Sequence, residues 1–352
     1  MKLYVGTKKG LFVVTEGGIG KPHFLGDPVS MVLPDRRDGT LYAALNLGHF
    51  GVKLRRSADG GATWEEVAAP EYPPQPEGSQ DKTPWKLVQL WALESDGRRL
   101  WAGTIPGGLF TSGDRATSWT LVRSLWDRPE RAEWAGGGYD HPGIHSIAID
   151  PRDPRRITVA ISTGGAWQTR DGGGSWSVAA QGMYAEYMPP EKKFDQNMQD
   201  IHRLVQCAAR PDVMWAQHHN GVFRSTDGAK NWQEVTAIQP AKFGFAVAVH
   251  PQDPDVAWFV PAVKDECRVP VDAKLVVART RDGGRNFDVL RKGLPQEHAY
   301  DLVYRHGLDV DESGNRLAFG STTGGLWLSE DQGDTWRCLS TQLPPIHCVR
   351  FG

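Results

Sequence analysis

The stretch SADGGATW at residues 57–64 decides the fold, because close variants of it return five more times along the chain. The other copies are SGDRATSW (112–119), TRDGGGSW (169–176), STDGAKNW (225–232), TRDGGRNF (280–287) and SEDQGDTW (329–336). Successive copies are 55, 57, 56, 55 and 49 residues apart. A near-constant period in this range indicates a repeat architecture, in which one small unit of strands or helices is stacked many times.

One repeat reads as four short strands. Between residues 143 and 179, the segments GIHSIAID, ITVAIS, AWQTR and WSVAA are separated by clusters of Pro, Asp and Gly that form turns. The octapeptide is then the hairpin between the third and fourth strands. Its Asp accepts hydrogen bonds from turn amides, its Gly supplies a positive φ, and its Trp begins the outer strand. Because one such sheet cannot cover both of its faces, the units must stack.

The octapeptide resembles the Asp-box, or BNR repeat, S-x-D-x-G-x-T-W, of sialidases, sortilin-type receptors, some glycanases and photosystem assembly factors. The departures are mild: Ala116 and Ala229 replace a glycine, and Phe287 replaces the tryptophan. The resemblance implies a β-propeller. Since that family contains hydrolases and non-enzymes alike, it is more specific for the fold than for the function.

We predict an all-β fold, a seven-bladed β-propeller of four-stranded antiparallel blades in one domain over 1–352. The N-terminal residues supply three strands of a blade without its first strand, and the C-terminal segment is a first strand with nothing after it. The C-terminal strand should therefore join the N-terminal blade and close the ring without a free sheet edge. The predicted blades are 1–26 with 344–352, then 28–72, 84–124, 143–182, 200–237, 243–292 and 298–343.

Composition narrows the class of partner. The chain has a net charge of −2 and a pI near 6.6, which argues against nucleic acid or an anionic membrane as the main partner. It has no run of 18 apolar residues, and its first residues, MKLYVGTKKGLFVV, alternate like a strand rather than a signal peptide. The four cysteines form no CxxC motif. We expect free thiols in a reducing cytoplasm, with two disulfides as the alternative.

In this topology the octapeptide hairpins lie opposite the loops that join second to third strands and blade to blade. We therefore interpret the octapeptides as structural staples and expect function at the opposite end of the ring. Several connections there are long: 70–84, 125–142, 182–199 and the insert 262–274. Loops well beyond the usual few residues are commonly functional, although they can also serve as lids over apolar surface.

A shorter repeat lies at the start of three first strands and brings a histidine near the rim of the central channel. Its copies are Gly143-Ile144-His145, Asp200-Ile201-His202 and Pro345-Ile346-His347. Lys86 occupies a similar place in another blade, and a nearby loop carries His218 and His219. The alternative interpretation is a set of hydrogen-bonded structural histidines multiplied by internal duplication.

We predict a pocket at the channel mouth for a small polar ligand such as a carbohydrate. Glycoside hydrolysis normally needs two carboxyl groups, and the long loops provide candidates. The predicted catalytic residues are His145 or His202, to move protons or orient the ligand, with Glu186 or Asp195 as acid/base partner. The predicted ligand-binding residues are Lys86, Trp134, Tyr139, Asp140, Tyr187, Arg203, His218, His219 and His347.

Two other function classes stay open. The first is a metal-dependent lyase or hydrolase, because neutral imidazoles beside carboxylates are good ligands for a divalent metal, although no short-spacing motif such as HExxH is present. The second is a non-catalytic binding or assembly module with a protein partner. Sialidase activity itself is not expected. Only Arg203, Arg305 and Arg350 are even loosely placed for the arginine triad that the resemblance implies, and Tyr300 is a stray nucleophile candidate.

Overall fold

Twenty-eight strands build the computed structural model, which describes residues 1–352. The strands form seven separate sheets of four antiparallel strands each. In six sheets the four strands follow one another directly along the chain, because turns or loops join each strand to its neighbour. The predicted seven-bladed β-propeller is confirmed.

In blades 2 to 7 the strands follow one another from the channel outward. The N-terminal residues supply three strands of blade 1: β1 (Leu3–Thr7), β2 (Gly10–Thr15) and β3 (Gly18–Ile19). Blade 2 has β4 (Val29–Pro34), β5 (Leu41–Asn46), β6 (Val52–Ser57) and β7 (Glu65–Val67), and blade 3 has β8 (Gln89–Ser95), β9 (Leu100–Ile105), β10 (Leu109–Ser112) and β11 (Thr120–Leu121). Blade 4 has β12 (Ile144–Ile149), β13 (Ile157–Ile161), β14 (Gly165–Thr169) and β15 (Ser177–Val178).

The second half of the ring repeats this order. Blade 5 has β16 (Ile201–Gln206), β17 (Met214–His218), β18 (Gly221–Ser225) and β19 (Gln233–Val235), and blade 6 has β20 (Phe243–Val249), β21 (Ala257–Ala262), β22 (Val277–Thr280) and β23 (Asp288–Leu290). Blade 7 has β24 (Leu308–Val310), β25 (Leu317–Gly320), β26 (Leu326–Ser329) and β27 (Arg337–Ser340).

The C-terminal strand β28 (Ile346–Phe351) is the innermost strand of blade 1. It pairs antiparallel with β1, from Leu3 opposite Phe351 to Thr7 opposite Ile346. The two ends of the chain thus complete one sheet, as predicted, and this closure leaves no unpaired inner edge at the seam.

Seven hydrophobic clusters hold the ring together, one at each interface between successive blades. Their largest members include four wholly buried tryptophans, Trp101, Trp167, Trp215 and Trp258. Each blade has an apolar surface on both faces of its sheet, and an isolated blade would expose both to water. The blades are therefore stable only when they pack against their neighbours in the ring.

Each octapeptide closes its turn with the same hydrogen bonds. In the first copy, Asp59 accepts from the Ser57 hydroxyl at 2.7 Å, from the Thr63 amide at 2.9 Å and from the Thr63 hydroxyl at 2.6 Å. The other five aspartates accept equivalent bonds from the residues two before and four after them. The bond from the Ser118 hydroxyl is the main reason that the pKa of Asp114 falls to about 2.

The octapeptides and the turns between first and second strands meet at one end of the ring, which we call the box end. There, for example, the Gly172 amide donates to the Arg155 carbonyl at 2.9 Å, and the Gly283 amide to the Asp255 carbonyl at 3.0 Å. The opposite end, called here the mouth end, carries the loops between second and third strands and the connections between blades. All helical segments lie in these mouth-end loops: α1 (Arg123–Trp126) and 3₁₀ turns at Gly48–Phe50, Pro129–Glu133, Gln196–Met198 and Val271–Ala273.

The helices are all short, and none is long and apolar enough to cross a membrane. The four cysteines are unpaired: Cys207 and Cys348 are buried, and Cys267 and Cys338 are exposed.

Candidate functional site

A β-bulge interrupts the innermost strand of six of the seven blades at the same point near the mouth end. At each bulge the register against the second strand shifts; one inner-strand residue is left unpaired in five blades, and two, Phe245 and Ala246, in blade 6. Such bulges re-aim side chains and are common beside active sites. The residues in this position are His347, Ser30, Trp91, His145, His202 and Phe245 in blades 1 to 6.

The three histidines of the Gly/Asp/Pro-Ile-His repeat therefore do occupy equivalent places on the inner wall. Lys86 does not share this place: β8 begins only at Gln89, and the equivalent residue of blade 3 is Trp91. Lys86 is exposed on the preceding connection.

The largest cavity, about 730 Å³, opens at the mouth end of the channel. We call it the mouth cavity. Trp91 and Tyr139 contribute aromatic surface, and Asp27 is the only carboxylate among its lining residues. Its other polar lining side chains are Lys8, Ser30, Asn46, Gln89, Arg268, Tyr304, Arg305, His306 and His347. A concave site with aromatic faces and convergent polar groups is the usual form of a small-molecule site.

Arg305 is the most unusual group in this cavity. It is 6% exposed, and its guanidinium lies between the rings of Trp91 and Phe245, with centroid distances of 4.9 and 5.2 Å. No carboxylate lies within ion-pair distance; its one hydrogen bond is to the Gly137 carbonyl at 3.3 Å, and Nε has no partner. Burial lowers its pKa, yet an arginine stays protonated at neutral pH. The channel thus holds a buried cation with no carboxylate in direct contact; Asp200 raises its pKa from a longer distance but offsets the effect of burial only in part.

Two buried imidazoles lie nearby with unused hydrogen-bonding atoms. His145 contacts the Ser146 hydroxyl through Nδ1 at 3.0 Å, while its Nε2 has no partner. Neither ring nitrogen of His306 has a partner. Burial, reinforced by nearby arginines, lowers the pKa of both rings well below the ordinary value, so both are neutral at pH 7.

A second cavity of about 680 Å³, called here the side cavity, adjoins the mouth cavity and shares Gly137, Gly138 and Arg268 with it. Asp200, His202 and His219 line it together. Burial raises the pKa of Asp200, but the two histidines and Arg305 lower it more, so the carboxyl is ionised. The nearby Asp200 carboxylate raises the pKa of His219, whereas burial lowers the pKa of His202. These three side chains are the ones in the fold that are grouped suitably to hold a metal.

Several predicted site residues line these cavities, and others do not. Tyr139 and His347 line the mouth cavity, and Tyr187, His202 and His219 line the side cavity. The remaining predicted residues lie outside both: Lys86, Trp134, Asp140, His145, Glu186, Asp195, Arg203 and His218.

Neither of the two predicted acid/base carboxylates lines the mouth cavity or the side cavity. Glu186 is exposed on the 182–199 loop. Asp195 caps the 3₁₀ turn Gln196–Met198 by accepting the Asn197 amide at 3.0 Å. The acid/base role of these two carboxylates stays a prediction.

Buried Trp134 and His218 have structural contacts. Trp134 donates Nε1 to the Asn197 side chain at 2.8 Å and thereby ties the 125–142 loop to the 182–199 loop. His218 accepts the Asn220 amide through Nδ1 at 3.0 Å and packs on Phe223, and burial lowers its pKa to about 3. Asp140 is exposed.

Arg203 belongs to the other end of the channel. It lines a cavity of about 430 Å³ together with Arg350, Glu94 and Asp309, and Arg350 pairs with Glu94 at 2.7 Å. Burial lowers the pKa of Arg203 to about 10. Arg203, Arg305 and Arg350 therefore do not converge on one cavity.

Gln89, Trp91 and His306 also line the mouth cavity, although they were not among the predicted site residues. An alignment of the seven innermost strands would have found Trp91, since it shares the bulge position with the three histidines. It would not have found His306, because blade 7 has no bulge at the equivalent point.

Known proteins share this fold. No family model matches the chain. A curated relative, "Probable oligoxyloglucan-reducing end-specific xyloglucanase" of Neosartorya fischeri, is 26% identical over 324 residues, which cover 84% of this chain and 37% of the relative. The chain thus spans well under half of the curated relative that it matches.

Several solved structures have a fold similar to that of this chain. The GH74 xyloglucanase of Xanthomonas campestris has a TM-score of 0.65 at 19% identity, over 96% of this chain and 52% of that one. The Pseudomonas aeruginosa periplasmic gluconolactonase has a TM-score of 0.61 at 12% identity, over 99% and 98%. YCF48 bound to a D1 peptide has a TM-score of 0.56 at 13% identity, over 93% and 88%. The chain is therefore a seven-bladed propeller whose similar proteins include xyloglucanases.

Proposed function

We propose that the chain binds a carbohydrate carrying an acidic group in the mouth cavity, with Arg305 holding the carboxylate. The observation that carries this proposal is the buried guanidinium of Arg305, which has no carboxylate of its own. A carboxylate matches the planar fork of arginine with two parallel hydrogen bonds, so a ligand carboxylate would compensate the charge directly.

The rest of the cavity suits a sugar. Trp91 and Tyr139 offer ring faces, and Asn46 and Gln89 offer amide groups for hydroxyls. A volume of about 730 Å³ lies within the range of small-ligand pockets. The similarity to xyloglucanases favours a carbohydrate over other small acids.

The proposal is binding rather than hydrolysis by the usual carboxylate pair. That mechanism needs two carboxyl groups within about 10 Å across the scissile bond. Asp27 is the single carboxylate that lines the mouth cavity.

Matched acidic and neutral sugars test this function. Isothermal titration would compare short oligosaccharides of glucuronic or galacturonic acid with their neutral glucose and galactose counterparts. We expect the acidic sugar to bind at least roughly 30-fold more tightly, because losing one partner of a buried charged contact costs about 2 kcal/mol or more. Arg305→Met should abolish this preference. Equal affinity for the two sugars, or no binding of any acidic sugar, would contradict the proposal.

A further inference from the structure

Three metal-ligating side chains converge where the first two strands of blade 5 meet at the mouth end. Asp200 immediately precedes β16, His202 occupies the bulge of β16, and His219 follows β17. The His219 amide donates to the Asp200 carbonyl at 2.9 Å, which fixes the spacing between the two strands at this point. The position of the group is therefore set by the sheet rather than by a loop.

The carboxylate of Asp200 is buried, and one of its two oxygens has no hydrogen-bond partner. Asp200 is 7% exposed, and its Oδ1 has no partner. Its Oδ2 lies 3.6 Å from His202 Nε2 and 3.5 Å from His219 Nδ1, distances that are long for hydrogen bonds. A buried carboxylate with one oxygen unpartnered and the other held only by two long histidine contacts is costly, so a bound cation would stabilise this site.

The tautomer of His202 also favours a bound cation at Asp200. Its Nδ1 lies 2.6 Å from the Gly244 carbonyl of blade 6, an atom that can only accept, so Nδ1 carries the proton. In the neutral ring, Nε2 then points a lone pair at the Asp200 carboxylate. A backbone carbonyl that fixes the tautomer of a histidine in this way is the usual outer contact of a metal ligand.

The distances fit one small ion. Two atoms that each lie 2.0–2.1 Å from a tetrahedral ion are about 3.3–3.4 Å apart. The observed separations of 3.5 and 3.6 Å are close to this value, and all three donor atoms lie within 4.8 Å of one another. Small side-chain movements would complete the coordination.

We propose that Asp200, His202 and His219 bind one divalent transition-metal ion of the Zn²⁺ type. Two imidazoles and a carboxylate suit such borderline ions better than Mg²⁺ or Ca²⁺, which prefer oxygen ligands. The remaining coordination positions face the side cavity, since all three ligands line it. Three protein ligands with open positions are typical of a catalytic rather than a structural metal site.

Aromatic neighbours hold the ligands in place. His202 stacks on Phe245 with ring centroids 4.4 Å apart, and Tyr187 packs edge-on against His219 at 5.0 Å. Such packing locks the rotamers of both rings and so favours a preformed site. The site stands on this geometry alone and does not depend on the carbohydrate proposal.

Zinc titration of the full-length chain without any sugar tests the site. The chain is first stripped with a chelator, and Zn²⁺ binding is then followed by calorimetry and by elemental analysis of the dialysed protein. We expect one Zn²⁺ per chain. Substituting Co²⁺ should give a visible absorption band, because imidazole and carboxylate ligands in a low-coordinate site produce one.

Asp200→Asn and His219→Gln should each weaken Zn²⁺ binding by at least about 100-fold, since even outer-contact changes cost 10- to 100-fold. His347→Gln is the matched control: His347 occupies the same bulge position in blade 1, and its Nδ1 faces the Val29 carbonyl at 3.1 Å, but it has no carboxylate beside it. It should bind Zn²⁺ normally.

Circular dichroism would establish that each variant is folded. His219→Gln, at a half-buried position on the cavity, keeps the test decisive if Asp200→Asn does not fold. No stoichiometric Zn²⁺ in the native chain, native affinity in folded His219→Gln, or an equal loss in His347→Gln would overturn the site.

Discussion

The two ends of the ring differ in how their carboxylates and arginines are paired. At the box end, every octapeptide aspartate accepts the same three hydrogen bonds, and the turn is repeated six times with distances that vary little. At the mouth end, Arg305, His306 and Asp200 are buried with polar atoms that have no partner. The repeated end therefore serves stability, and the irregular end bears groups that only a ligand would satisfy.

Two buried arginines show this difference within one residue type. Arg279 at the box end is 4% exposed and pairs with Asp288 at 3.0 Å and Asp334 at 2.7 Å. Arg305 at the mouth end is 6% exposed and pairs with no carboxylate. Burial is the same in the two cases, so pairing is what separates a structural arginine from a candidate ligand group.

The largest expected effect concerns the packing between blades. Trp258 is wholly buried in blade 6, and its Nε1 donates at 2.8 Å to the Gln332 carbonyl in the octapeptide turn of blade 7. Trp258→Ala should cost about 3–5 kcal/mol of unfolding free energy, because it leaves a large cavity at a blade interface. Denaturant titration measures the loss. Phe50→Ala, at a 75%-exposed aromatic of the mouth end, should stay within about 0.5 kcal/mol of the native chain.

A smaller loss should follow removal of one octapeptide carboxylate. Asp331→Ala deletes bonds from the Ser329 hydroxyl, the Thr335 amide and the Thr335 hydroxyl, and should cost about 1–2 kcal/mol. Ligand and Zn²⁺ affinities measured in parallel should not change. A comparable fall in either affinity would contradict the claim that the box end serves stability and the mouth end binds ligands.

The same variant has a predictable pH dependence. Burial raises the pKa of Asp331, but its bonds to Thr335 and Ser329 lower it more, so the net shift is downward. A lowered pKa gives stability that is present above the unfolded value near 3.9 and is lost as pH falls through the folded value. The difference between the native chain and Asp331→Ala should therefore be constant above about pH 5 and shrink below pH 4.

At the mouth end, removing an unpartnered polar group should stabilise the chain. His306→Leu deletes two buried ring nitrogens without partners and should raise the unfolding free energy by about 1 kcal/mol. Burial lowers the pKa of His306, so the native chain loses stability as the unfolded state takes up a proton below about pH 6.5. The gain should accordingly be larger at pH 5.5 than at pH 7.5. A loss of stability at both pH values would contradict this account of His306.

The smallest expected effect lies in the octapeptide backbone. Ala229 stands where other copies have glycine and adopts a φ of 66°, which costs an alanine about 1–2 kcal/mol. Ala229→Gly should remove this strain and raise stability by about 0.5–1 kcal/mol after the entropy of glycine in the unfolded chain is counted. Thermal unfolding of the two chains side by side would detect the shift, and an unchanged or lower midpoint would contradict the prediction.

The fold could be predicted almost completely because short sequence motifs, repeated along the chain, determine its local structure. The Asp, Gly and Trp of each octapeptide determine a turn by themselves, and the unmatched strands at the two chain ends imply the closure by β28. The isoleucine-histidine repeat likewise located three of the six bulge residues.

The candidate site could be predicted only in part, because it depends on packing between distant segments. Arg305 meets Trp91 and Gly137 across the channel, and no sequence pattern connects these positions. The sequence places Glu186 and Asp195 on a long loop, but the direction of a loop side chain follows from tertiary contacts such as the Asn197 amide bond to Asp195. Asp200 was visible in the sequence, yet its grouping with His219 required the pairing of β16 with β17.

The most direct test of the division between the two ends compares Arg305→Met with Arg279→Met. For each variant, the unfolding free energy and the affinity for an acidic oligosaccharide are measured together. We predict that Arg305→Met keeps or gains stability and loses affinity at least roughly 30-fold, whereas Arg279→Met loses about 1–2 kcal/mol and binds the sugar normally. Equal losses of affinity in both variants, or a loss of stability without loss of affinity in Arg305→Met, would contradict the account.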